Sequence, residues 1–262
     1  MRTANPVLSE KTFAPADWPG YRAGAGATAM APARAGVMAL GGTIIKTAVL
    51  LALCAVAAVV GWNMVAAQAI NPMILLLGGG LGGFVLAMII SFKPTAAPFL
   101  APVYAILEGA FLGAVSLLVA SRVGPQGGAL VFQAILLTFG IMGALLALFS
   151  VGAIRLGSTA MKIVSVATAG VCLTYLLNMV LSMFGFSGMN VIFQSGMIGI
   201  GFSLFVIVLA SFNLVMDFQT IEGGVQNGAP KYMEWYAGFG LLVTLVWLYI
   251  EVLRLLSKMR RE

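Results

Sequence analysis

Residues Ser211–Glu262 read SFNLVMDFQTIEGGVQNGAPKYMEWYAGFGLLVTLVWLYIEVLRLLSKMRRE. An apolar helix carries a carboxylate, Asp217, near its end. A short polar stretch follows, with Gly223, Gly224, Gly228 and Pro230. A second apolar run, Trp235 to Leu256, then closes on Lys258, Arg260 and Arg261. A carboxylate inside an apolar helix is costly, more so in lipid, and it persists where a bundle interior, a water path or an ion uses it.

Working outward, composition sets the class. Of 262 residues, 61% are hydrophobic and 8% charged, and the mean hydropathy is +1.06. Soluble domains carry about 25% charged residues, so this chain cannot cover itself with a water-compatible surface. Apolar runs long enough to cross a bilayer, about 20 residues each, recur along it. Cys54 and Cys172 both lie inside such runs and read as small packing hydrophobes. They suggest neither a disulfide framework nor a metal site. The net charge of +6 is a topology signal, because the basic residues flank the apolar runs.

In chain order, residues 1–42 are rich in Ala, Gly and Pro, carry Arg2, Lys11, Arg22 and Arg34, and read as a disordered cytoplasmic tail. A signal peptide would instead place an apolar core directly after a short basic start. Seven apolar runs make up residues 43–262: Thr43–Met64, Pro72–Phe92, Pro102–Ser121, Gly128–Val151, Lys162–Phe184, Val191 to about Glu222, and Trp235–Ser257. In lipid every backbone polar group needs an internal partner, so runs of this length are helices. The expected fold is an all-α integral membrane domain of seven transmembrane helices. Lys46 is placed to snorkel at the start of the first. Gly79 with Gly83, and Gly109 with Gly113, form small-xxx-small pairs that let helices approach closely in lipid.

Orientation follows from the lysines and arginines. With the tail inside, that side collects Arg2, Lys11, Arg22, Arg34, Lys46, Lys93, Arg155, Lys162 and Lys231, while the other receives Arg122 alone before the C-terminus. The N-terminus is therefore expected in the cytoplasm. Seven full crossings then put Arg254, Lys258, Arg260 and Arg261 outside, against the same bias. The length of the last run favours full crossing over a re-entrant segment.

The acidic residues near and within the runs are the candidate site. Glu108 lies six residues after Pro102, an expected depth of ~9 Å, and Asp217 lies five before Glu222, ~7–8 Å. Both are expected in the cytoplasmic half, where Glu234 opens the seventh helix. Glu234 also reads as compensation of a helix N-terminus, Glu222 as a solvated loop charge, and Glu251 as an i, i+3 partner of Arg254. Carboxyls buried near one another respond to pH and attract a cation once ionised. Histidine is absent, which removes His-ligated zinc or haem and a His relay. No lysine lies inside the seventh run for a retinal Schiff base. A glycine-rich phosphate loop with its lysine does not occur either. No base stands ready to activate a serine or threonine, so the chain does not read as an enzyme and calls for no cofactor.

Three stretches resemble the Bax inhibitor-1/YccA family of membrane proteins: YAILEGAFLGAVS around Glu108, SFNLVMDFQTIE around Asp217, and the closing LYIEVLRLL. The NPVLS opening and the APKYMEWYAGFGLLVTLVWLYIEVLRLL ending resemble its bacterial branch with an N-terminal extension. The resemblance implies six helices wrapped around a central last helix. It also implies a pH-sensitive calcium leak, gated by carboxylates on the sixth and seventh helices, in a bacterial inner membrane. By the same resemblance Asp217 is the sixth-helix aspartate and Glu108 the glutamate before a glycine. The seventh-helix aspartate position holds Thr244, so a proton-sharing pair is not available there. Glu251, seven residues on, faces the same way ~10 Å further along, and Glu234, ten residues back, is rotated by about 80°. Calcium takes oxygen ligands, which carboxylates, Thr244 and helix-end carbonyls supply. The leading expectation is thus a cation leak channel or transporter. Its rival is a non-transporting regulator that binds membrane proteins such as a protease.

Overall fold

A computed structural model of the chain describes residues 36–184 and 196–260. Among these residues the regular structure is helical, and seven helices are long and apolar enough to cross a membrane. They are α1 (Leu40–Ala66), α2 (Pro72–Phe92), α3 (Ala97–Val123), α4 (Gly127–Ser150), α5 (Ser158–Met183), α6 (Met197–Gln226) and α7 (Met233–Met259). The expected tail lies, up to residue 35, outside the described residues. Val37 bridges Pro230 in antiparallel fashion, Met38 N–H donates to Ala229 O at 2.7 Å, and α1 begins three residues earlier than its apolar run suggests.

Helix boundaries follow local chemistry. α2 starts at Pro72 because Asn71 caps it, its side chain accepting from Met73 N–H at 2.9 Å, with proline in the first turn, where no donor is lost. The third span does not start at Pro102. Pro94 opens a 3₁₀ turn, Pro94–Ala96, that runs straight into α3, and Pro102 sits inside the helix. The alanines and leucine before it extend the helix toward Pro94, at the cost of one missing backbone donor at Pro102. α6 likewise runs past Glu222, so Gly223 and Gly224 are helical. The helix stops only at Gly228, whose φ of +68° suits a residue without Cβ, with Ala229 N–H returning to Gly224 O at 3.0 Å.

The chain divides into two compact units. One comprises residues up to Leu117 with Asp217–Val243, the other Leu118–Met216 with the residues from Thr244 onward. In the first, glycines set the closest helix approaches. A Cβ on Gly109 or Gly113 would collide with the α1 backbone at Cys54 or Ala58, and one on Gly61 would stand 2.8 Å from Ala110 O of α3. On α2, Gly79 faces Leu107 O at 2.9 Å and Gly83 faces the Glu108 carboxylate at 2.7 Å, both measured from an added Cβ. Both small-residue pairs are thus used within the chain. Tyr104 meets Phe239 edge to face, ring centroids 4.8 Å apart, joining α3 to α7. α7 is the most buried span: 67% of its apolar window is covered, against 17% for α2.

Candidate functional site

The spans carry acidic residues at α3, α6 and both ends of α7. Glu108 lies eleven residues into α3, ~16 Å along it, deeper than a helix starting at Pro102 would place it. It is 9% exposed and abuts Gly83, with Tyr104 and Cys54 close enough to interact electrostatically. Among the described residues no group donates a hydrogen bond to its carboxylate or pairs with it. Asp217 lies nine residues before the end of α6, ~13 Å in, again deeper than expected because α6 outruns Glu222. It is fully buried, with 0% exposure. Both carboxyls belong to the first unit. Thr244, on α7, is buried in the second.

Glu234 is placed where a helix-start charge was expected, but it serves two helices. It opens α7, and its Oε1 accepts from Ala39 N–H, the cap position of α1, at 2.9 Å. Lys46 donates to its other oxygen, and Lys231 stands 3.6 Å away. Lys46 therefore does not snorkel outward; it turns in to the buried carboxylate, with Trp235 5.8 Å beneath its ammonium. Gly42 leaves room for Glu234. With its charge answered by two lysines, Glu234 is a poor free cation ligand. Glu222 is half-buried in α6 with polar partners of its own; it is not a loop charge.

Glu251 is also committed. It forms the expected i, i+3 pair with Arg254, and Tyr175 of α5 donates its hydroxyl to the same oxygen. Arg254 also donates to the Tyr175 hydroxyl at 2.8 Å. Sequence reasoning did not single out Tyr175, and a tyrosine 76 residues away gives no local signal. It also missed Lys258, which is buried and donates to Gly199 O at 2.8 Å and Ser203 Oγ at 3.0 Å. Among the described residues no three Asp, Glu, His or Cys side chains gather closely enough to hold a metal ion. The three carboxylates expected together at one end, Glu108, Asp217 and Glu234, do not converge into a cage. Helix rotation sends Glu234 to α1 and Glu108 to α2.

Seven apolar helices with carboxyls inside them define a multi-pass membrane protein whose polar groups are turned into protein. The family model described as Bax inhibitor 1 like matches residues 5–261, and the chain belongs to that family. Comparison with curated proteins and with solved structures gives no match.

Proposed function

We propose that this protein is a cation leak channel or transporter, with calcium as the ion and Asp217 and Glu108 as the carboxylates that bind or gate it. In this reading it sits in a bacterial inner membrane with its N-terminus in the cytoplasm, as the lysine and arginine distribution favours. The observation that carries the proposal is the placement of two carboxyls well inside the spans of one unit. One of them, Glu108, has no protein hydrogen-bond or ion-pair partner among the described residues. A carboxyl at such depth without a partner is costly, and a path for ions or protons is the usual reason for keeping one. Glu234 and Glu251 are ion-paired supports in this scheme, and Thr244 contributes at most a hydroxyl oxygen.

The test is calcium flux through proteoliposomes over a range of pH. Asp217→Asn and Glu108→Gln keep shape and lose charge; each is expected to lower flux several-fold and to flatten its pH response. Unchanged flux and pH profile in both variants removes these carboxyls from the path. A wild-type protein that moves no cation at any pH sinks the transport reading and leaves the membrane-regulator alternative.

A further inference from the structure

The four residues before α1, Gly36–Ala39, reach across to the corner where α6 gives way to α7. Val37 and Pro230 form an isolated antiparallel bridge. Its two hydrogen bonds lie on either side of the pair: Met38 N–H donates to Ala229 O at 2.7 Å, and Lys231 N–H donates to Gly36 O at 3.0 Å. Val37 and Pro230 are thus a non-hydrogen-bonded pair, a position at which proline costs the ladder no donor. Met38 and Ala229 are buried. One residue on, Ala39 N–H donates to Glu234 Oε1 at 2.9 Å, and Lys46 donates to the other oxygen of that carboxylate. Gly36 turns the chain into the bridge at φ +96°. A Cβ there would meet nothing within 4 Å, so the backbone conformation alone favours glycine.

Every one of these residues belongs to the first unit, as do Glu108 and Asp217. The bridge sets the start of α1 against the α6–α7 corner, and α1, α2 and α3 cross in alternate directions through short connections, so α3 begins at this end as well. Asp217 is ~13 Å from the end of α6 at the corner and ~30 Å from the other end of that helix. Glu108 is ~16 Å from the start of α3 and ~22 Å from its far end. Both carboxyls are therefore nearer the strapped end. Water or an ion reaches a carboxyl inside a span through protein and not through lipid, and the shorter way in along both helices starts where the strap lies. The strap is a single bridge with no ladder on either side of it. Segments held by few backbone bonds are the ones that open locally while helices stay intact.

We propose that Gly36–Ala39 is a strap that holds the α6–α7 corner against α1 and limits access to Asp217 and Glu108 from that end. With the bridge formed, α1, the end of α6 and the start of α7 move as one piece. With it released, the corner is free to swing away from α1, and the way to the two carboxyls widens. As a control on ion flow the strap rests on the transport reading. As a control on access to the two carboxyls it does not.

The experiment uses the full chain with Cys54 and Cys172 changed to Ala, carrying Val37→Cys and Pro230→Cys. Cα atoms of a non-hydrogen-bonded pair stand about 4.5 Å apart, within the span a disulfide bridges. The pair is oxidised with copper phenanthroline or reduced with dithiothreitol, and mass spectrometry checks the bond. Failure of the disulfide to form overturns the bridge and the proposal with it. Access is read as the rate at which a water-soluble carbodiimide with glycinamide labels Glu108 and Asp217, located by peptide mass spectrometry. The oxidised form should be labelled several-fold more slowly than the reduced form, and its calcium flux in proteoliposomes should fall by a similar factor. Equal labelling in the two forms overturns the strap even where calcium passes. Slower labelling of the oxidised form, with wild-type vesicles that pass no calcium, refutes the transport reading and leaves the strap standing. Gly36→Ala strains the entry to the bridge without crowding it and should be labelled several-fold faster than wild type. If the cysteine pair does not fold, this variant decides, and labelling at the wild-type rate overturns the proposal.

Discussion

Replacing Glu234 by Gln tests how the start of α1 is held to the start of α7. The carboxylate is fully buried and answers the Lys46 ammonium, Lys231 and the Ala39 N–H. Removing one partner of a buried ion pair costs about 3–5 kcal/mol. Two features reduce that here. Lys46 keeps 19% of its side-chain surface exposed, so solvent takes up part of its freed charge, and the amide oxygen of Gln still accepts from Ala39. A loss of about 2–3 kcal/mol is expected, or a melting temperature lower by roughly 5–10 °C for a chain of this size. Thermal unfolding of detergent-solubilised protein, followed by tryptophan fluorescence with Trp235 as the nearby reporter, gives the number. Lys46→Met alone should cost as much or more, because it strands the buried carboxylate. The double variant Lys46→Met with Glu234→Gln should recover ~1–3 kcal/mol relative to the sum of the singles. A single variant Glu234→Gln within about 1 °C of wild type, or strictly additive losses in the double, refutes the pairing.

Further outcomes follow from other contacts. Gly113→Val should lose at least about 3 kcal/mol, since its Cβ meets Ala58 O and Trp62 N, both backbone. Gly143→Ala, with open space around it, should be neutral or gain ~0.5–1 kcal/mol, both read as melting temperatures. Tyr175→Phe removes a donor from buried Glu251 and should cost about 1–3 kcal/mol in the same assay. With Cys54 and Cys172 replaced, Arg260→Cys should react with an impermeant thiol reagent from outside intact cells. Labelling only after permeabilisation would show that α7 does not carry its end across.

The seven spans are legible in the sequence because lipid leaves the backbone no alternative to the helix. The pairings between spans are not. Lys46 and Glu234 are separated by 188 residues, and whether they meet depends on helix rotation and register, which long runs of Leu, Val, Ala and Ile scarcely constrain. Boundaries failed where a strong local signal lay inside a helix. Pro102 reads as a start and Glu222 as an end, yet both are helical, since a favourable apolar run overrides one proline or one charge. One tertiary feature was nevertheless available in the charges. A charged side chain in a span must face protein or water and not lipid, so acidic residues forecast burial. α3, α6 and α7 hold the acidic residues of the spans, and 44%, 44% and 67% of their apolar windows are buried. The spans without a carboxylate, α1, α2, α4 and α5, reach only 17–28%. α7 carries Glu234, Glu251, Arg254 and Lys258 and is the most covered of all. The charges that make α7 the least suited to lipid are the same ones that require burial against protein, and α7 is the span that has most of it.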